Sequence, residues 1–383
     1  MLPRLALVAT STALGLLLGE IALRVLGFED ELARRNTVYD ARYGTVRRDS
    51  WIFRFEIPRG ATEVDLRGRR VPVRKERGEV RVLFIGDSGT EGVLLPLEDT
   101  YPLVFERMLD QERPDHRVRA INAGVFGMTT IDEMHFLSSK LLPLHPDVVV
   151  VGLFMANDIN FNLGHAERER STAPRTSWAR SIVQHSALAH FAYVQAIAFN
   201  ARTRWIEPDD LGERSVVARE VGLVDRYGFH MLSYPMGEVA TYMKAPSPLV
   251  EHAFDVLEDV LVKLDEMGKR HGFVARVLLV PAPSAVAGRL LLLHYPDIWG
   301  DLRRAGIRVR PSQIDTHAPT ERVLAICARR HLVCIDPTER MRAVGVGEVF
   351  FPTDEHPTRR GHALLARELV ESYERLLPDG RAR

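Results

Sequence analysis

RVLFIGDSGTEG, residues 81–92, decides how the rest of this chain is read. An unbroken apolar run, Val82 to Ile85, stops at Gly86-Asp87, which is the pattern of a buried strand ending in a turn. Ser88 follows at once, where a hydroxyl can face the open end of a sheet while backbone N–H groups converge on the same space. A serine hydroxyl becomes a nucleophile only when a base accepts its proton. Without one, Ser88 is a turn residue that caps the next segment. The strand-turn-helix elbow of α/β-hydrolases needs Gly-x-Ser-x-Gly, and Thr90 stands at its last position, so that fold is disfavoured.

Working outward, the same rhythm of buried strand and amphipathic helix repeats. A helix is expected over 99–111, with Pro102 in its first turn and Leu103, Phe105, Met108 and Leu109 inward. HRVRAINAG (116–124) reads as a second strand, 130–142 as a helix, and DVVVVGLFM (147–155) as a third strand. The third alternates so little that both its faces must be covered. The rhythm lapses over 159–245, a stretch holding Phe161, Trp178, Phe191, Trp205 and Tyr242, with helix expected near 177–201. It resumes with a helix over 248–270, a strand FVARVLLVPAP (273–283), a helix over 319–330, the strand LVCIDP (332–337) and a last helix over 361–377. Strands separated by helices imply a three-layer α/β/α sandwich with a central parallel sheet. The expected organisation is a membrane segment (1–27), a charged linker (28–80), a domain in two pieces (81–158 and 246–383) and an insertion (159–245).

Composition narrows the classes. The 383 residues are 46% hydrophobic, enough for a large core, and 51 Lys and Arg offset 51 Asp and Glu. No global field draws such a chain to nucleic acid. Cys327 and Cys334 are too few for a disulfide scaffold and lack zinc-finger spacing. They are expected as two buried thiols, with a disulfide between a helix and the next strand as the alternative. Residues 5–19, LALVATSTALGLLLG, form a membrane-targeting segment. Extended through Leu26 it reaches bilayer length and admits Glu20 and Arg24, spaced to pair across one helical turn. No small-residue cut site stands out, so an uncleaved anchor with the bulk outside the cytoplasm is expected.

Reactive groups in open α/β sheets gather where strands end, and three such places, with a fourth just before the last helix, carry suggestive residues. RVLFIGDSGTEG resembles the first block of SGNH (GDSL-type) hydrolases. INAGVFG (121–127) is similar to the second, in which a glycine N–H serves the oxyanion hole, and Gly124 is the matching position. FMAND (154–158) is similar to the third, with Asn157 as the side-chain amide donor and Met155 where the family has glycine. FPTDEHPTRRGH (351–362) resembles the Asp-x-x-His block, with His356 as the base. Asp354 stands two residues before it, as in some polysaccharide O-acetyltransferases of the wider superfamily, and is the expected orienting acid. His362, inside the last helix, is expected to be structural.

The resemblance implies acyl transfer. His356 takes the Ser88 proton, the serine attacks an ester carbonyl, and Asp354 fixes the imidazole tautomer. Ser88 N–H, Gly124 N–H and the Asn157 amide would meet the oxyanion. The expected partner is a small-molecule or glycan ester, with no cofactor and no metal. Two alternatives stand beside this esterase: a cell-envelope polysaccharide O-acetyltransferase, and a catalytically silent scaffold that keeps the fold.

Overall fold

The computed structural model describes residues 2–26, 37–40, 44–47, 50–53, 55–170, 186–189, 191–192, 236–246, 248–293, 297–300 and 309–378. Its strands, numbered along the chain, are β1 Thr37–Asp40, β2 Gly44–Arg47, β3 Glu63–Leu66, β4 Arg69–Pro72, β5 Glu79–Gly86, β6 Arg117–Asn122, β7 Val148–Phe154, β8 Val274–Val280 and β9 Val333–Ile335. The helices that matter here are α1 Leu2–Val25, α2 Tyr101–Glu112, α3 Thr130–Phe136, α4 Asp158–Arg170, α5 Pro248–His271, α6 Ala318–Arg330 and α7 Arg359–Glu371.

Five strands pair in parallel in the order β6-β5-β7-β8-β9. Counted within the sheet this order is 2-1-3-4-5, the flavodoxin-like winding, which reverses direction between its first and third strands. Open α/β sheets place their ligand crevice at the carboxyl ends beside that reversal, and Ser88 and Asn157 follow β5 and β7 there. All seven residues of β7 are buried. Because successive strand residues point to opposite faces, helices must cover both sides, as the parallel α/β reading requires. The face of α5 expected to be apolar is so: Val250, Phe254, Leu257, Leu261 and Leu264 are all buried. That helix lies along α4 and β8, while α7 lies along α2.

Two helices depart from their expected bounds. The helix that begins at Thr130 ends at Phe136, widens into a π turn over Leu137–Leu141 and tightens into a 3₁₀ turn at Leu142–Leu144. Pro143 cannot donate to an α ladder, so the chain leaves the helix before it. The terminal helix breaks at Ser372 and resumes as a single turn, Tyr373–Leu376.

Residues 50–80 do more than connect. β3 and β4 form a hairpin whose Val64, Leu66 and Val71 enter the main core together with Ile52 and Phe55. Arg69 bonds the Ala120 carbonyl and pairs with Glu106, and Lys75 pairs with Asp147 at 2.7 Å. The charges that make this stretch look like a linker are its attachments to the sheet. β1 and β2 form a separate hairpin before it.

Cys327 and Cys334 are joined, which corrects the expectation of two thiols. The last turn of α6 and the start of β9 bring their Cα atoms to 6.2 Å, within disulfide reach.

Among the described residues no helix is long and apolar enough to cross a membrane. α1 is nevertheless a continuous helix of 24 residues, with the side chains of residues 1–9 outside the description. The expected pair is formed, Arg24 Nε donating to Glu20 Oε1 at 2.8 Å. Glu20 also accepts the N–H groups of Ala187 and Leu188 and the Ser186 hydroxyl, fastening α1 to a short turn of the post-157 segment. Residues 177–185, 190 and 193–201, where helix is expected, lie outside the described residues.

Candidate active site

The turn after β5 is held open for a serine by small residues beneath it. Gly86 pairs in register with Gly152 of β7. A Cβ on Gly86 would lie 2.6 Å from Thr90 Cβ, and one on Gly152 would collide with Thr90 Oγ1 and the Tyr101 hydroxyl. Those two oxygens are hydrogen-bonded at 2.9 Å. Thr90 is thus a packing residue beneath the nucleophile, which is why the serine turn closes without the second elbow glycine. Asp87 caps the turn Ser88–Glu91, its Oδ1 accepting Gly89 N–H at 2.8 Å. Ser88 stands at the first helical position, where a backbone N–H has no acceptor inside the helix.

Ser88 and His356, 268 residues apart, meet: His356 Nε2 lies 2.7 Å from Ser88 Oγ. His356 Nδ1 bonds Asp354 Oδ1, and the same oxygen accepts the His356 backbone N–H at 2.8 Å. The ring stacks on Phe154 with centroids 6.2 Å apart. Burial disfavours the imidazolium, but the hydrogen bond and charge of Asp354, with the charges of Asp87 and Glu355, outweigh it and raise the His356 pKa above its ordinary value. His362 takes no part. It is fully buried, stacks on Tyr101, and accepts Tyr101 N–H at Nδ1. Burial, then repulsion from His356, lowers its pKa to about 3, so it stays neutral.

Asn157 and Gly124, the two oxyanion donors expected besides Ser88 N–H, are engaged differently. Asn157 is in place, its Nδ2 donating to Asp87 Oδ2 at 3.2 Å, beside the serine. Gly124 is not a free donor, because its N–H bonds Asn122 Oδ1 at 3.0 Å. Its role is clearance: a Cβ there would lie 2.7 Å from the Thr90 carbonyl carbon and closer still to Glu91 N. The N–H groups of Ala123, Val125, Phe126 and Met128 are also engaged, the Phe126 one by the Glu91 carboxylate. Among the described residues no hydrogen bond engages Gly127 N–H, and Gly127 has φ +80°, a conformation only glycine adopts freely.

Gly124→Ala tests the clearance argument. Overpacking against backbone that cannot move is expected to cost about 3 kcal/mol, read as a lower denaturant midpoint. Unchanged stability would show that the turn has room.

Sequence reasoning also missed a set of buried acids behind the nucleophile. Burial raises the Asp87 pKa against the pull of Gly89 N–H and His356. Glu133 and Asp158 are fully buried, and desolvation raises both well above the carboxylate range, reinforced at Glu133 by the charges of Asp158 and Asp87 and at Asp158 by the charge of Asp87. Met155, where the family has glycine, is buried, its N–H bonded to Val280 O at 3.0 Å.

No family model and no curated protein matches the chain. Among solved structures it is similar to TesA, with 14% identity and a TM-score of 0.37 over 78% of this chain and 99% of that one. It is also similar to Axe2, an acetylxylan esterase from Geobacillus stearothermophilus: 15% identity, TM-score 0.39, 79% and 96% covered. A third is a putative lipolytic protein of the G-D-S-L family from Desulfitobacterium hafniense DCB-2, at 12% identity and TM-score 0.35, 76% and 98% covered. Overlaps this loose leave the geometry of the site as the ground for a functional reading.

Proposed function

We propose that this SGNH-like chain is a serine-dependent enzyme acting on carboxylic esters, with Ser88 as nucleophile, His356 as general base and Asp354 as orienting acid. The observation that carries the reading is the 2.7 Å approach of Ser88 Oγ to His356 Nε2, with Asp354 on the far nitrogen of the ring. His356 takes the hydroxyl proton as Oγ bonds the carbonyl carbon, and the carbonyl π pair moves onto its oxygen. Ser88 N–H and the Asn157 amide receive that charge. Collapse expels the alcohol, which takes the proton from His356, and leaves an ester on Ser88. Water, or a second alcohol, then repeats the sequence in reverse. A fluorophosphonate probe should label Ser88, located by mass spectrometry of the peptide; labelling of another serine sinks the assignment.

Base catalysis needs His356 neutral, and its pKa is raised. The kcat/KM for 4-nitrophenyl acetate should therefore rise with pH and reach half its plateau above about 6.5, the ordinary histidine value. A half-plateau pH below that value would contradict the proposed Asp354–His356 coupling.

A second reading, polysaccharide O-acetyltransfer, is favoured by the Asp-x-His spacing, since Asp354 reaches the ring from two residues away. Acetate released from an acetylated glycan identifies a hydrolase; acetate incorporated into an unmodified glycan identifies a transferase.

The proposal includes location. Leu14, Leu16, Leu17, Leu18, Ile21 and Val25 stand exposed on α1, apolar surface of the kind that marks a membrane or protein contact. The Cys327–Cys334 bridge suits an oxidising compartment. Full-length chain should pellet with membranes and be released by detergent but not by salt. Recovery in the soluble fraction would remove the tether and leave the ester chemistry standing.

A further inference from the structure

Among the described residues, one group of side chains outside the catalytic turn has the donors and spacing of a metal site: Asp132, His135 and His165. Asp132 and His135 lie three residues apart on α3, so they share a helix face. His165 comes from α4, the helix that starts directly after Asn157. One ligand atom from each lies within 4.8 Å of the others.

The Asp132 carboxylate is divided in function. Its Oδ2 completes a capping box, accepting the Thr129 N–H at 3.1 Å and hydroxyl at 2.8 Å. Its Oδ1 is buried and has no hydrogen bond, although His165 Nδ1 is only 3.0 Å away. The distance suits a hydrogen bond, yet the two groups are not aligned as donor and acceptor. His165 Nδ1 also lies 3.4 Å from Thr129 Oγ1. A fully buried carboxylate oxygen beside an imidazole nitrogen, but with no hydrogen bond aligned on it, is an incompletely satisfied acceptor. Two donors each about 2.1 Å from one ion stand roughly 3.0 to 3.4 Å apart at angles of 90° to 109°. The Oδ1–Nδ1 separation falls at the lower edge of that range, and His135, nearer the solvent, supplies a third donor from the same helix face.

We propose that Asp132, His135 and His165 bind a divalent cation of the Zn²⁺ type, clamping α4 to α3. One carboxylate and two imidazoles suit Zn²⁺ and its first-row neighbours rather than Ca²⁺ or Mg²⁺, which favour all-oxygen sites. Binding takes the Nδ1 lone pair of His165, so its ring hydrogen resides on Nε2. The ion also compensates the Asp132 charge. Asn162 already ties the same two helices, its Oδ1 accepting Ile131 N–H and its Nδ2 donating to Thr130. The clamp therefore fixes the base of the segment that leaves the sheet beside the proposed oxyanion donor Asn157, while none of its ligands belongs to the Ser88 site.

The test is calorimetric titration of untagged, EDTA-stripped full-length protein with Zn²⁺ alone. Wild type should bind one equivalent with a Kd below about 1 μM and melt at a higher temperature when loaded. His135→Ala should weaken binding at least about 100-fold, since even outer-shell partners of metal ligands cost 10- to 100-fold. Asp132→Asn should do the same while melting like wild type in EDTA, because asparagine retains an acceptor for the cap. His356→Ala should bind Zn²⁺ as wild type does, separating this site from the triad. Binding weaker than about 100 μM in wild type, or equal affinity in wild type and both cluster variants, overturns the proposal.

Discussion

Ser88→Ala should lower kcat on a chromogenic short-chain ester by about 10⁵-fold or more, the scale on which a triad nucleophile is missed. The substitution removes Oγ and nothing else that the fold uses. Asp87 Oδ1 still caps the turn through Gly89 N–H, and Thr90 still bonds Tyr101 beneath it. The hydrogen bond to His356 and a long one to Asp87 Oδ2 at 3.5 Å are lost, together worth about 1 kcal/mol, so the melting curve should barely move and KM should change only a few-fold. His356→Ala should cost nearly as much, and the double variant little more than either, because a nucleophile without its base and a base without its nucleophile are equally idle. Residual activity within tenfold of wild type in Ser88→Ala would place the chemistry elsewhere.

The parts legible in sequence were those in which one local pattern has one structural meaning. Val82 to Ile85 ending at Gly86-Asp87 can hardly be other than a buried strand and its turn, and the fully apolar β7 announces its own coverage. Ser88, Asn157 and His356 could be named because each sits where an element ends. The engagement of the N–H groups after β6 could not be read in this way. It depends on acceptors that come from Asn122 Oδ1 and from Glu91 Oε2, which sits 35 residues from Phe126 in the chain. The hairpin of residues 63–72 was hidden for a related reason. Its arginines look solvated until Glu106 and the Ala120 carbonyl are brought to Arg69 by the sheet. The disulfide depended on how α6 meets β9, and the Asp132–His165 contact joins two helices that no local spacing relates. Pairings between distant elements were the unread part.

Asp354 carries the second large effect, and its geometry separates two substitutions that are usually treated alike. Both bonds from His356, the ring Nδ1–H and the backbone N–H, land on the same oxygen, Asp354 Oδ1. Alanine removes that acceptor, freeing the ring to rotate and to adopt the tautomer with hydrogen on Nε2, which cannot take the serine proton. Asp354→Ala should therefore lose about 10⁴-fold in kcat, the scale on which loss of a triad aspartate is felt. Asparagine can keep its own Oδ1 under both donors, so it preserves the tautomer and removes only the charge. Asp354→Asn should recover at least about tenfold over alanine. Burial of His356, which disfavours its charged form, would then act with less opposition. The imidazolium should lose its proton more readily, and the rising limb of the kcat/KM profile should move to lower pH in both variants. Wild-type turnover in Asp354→Ala would return the orienting role to another group. An asparagine variant as slow as alanine would show instead that the carboxylate's charge, and not its placement of the ring, is what the base requires.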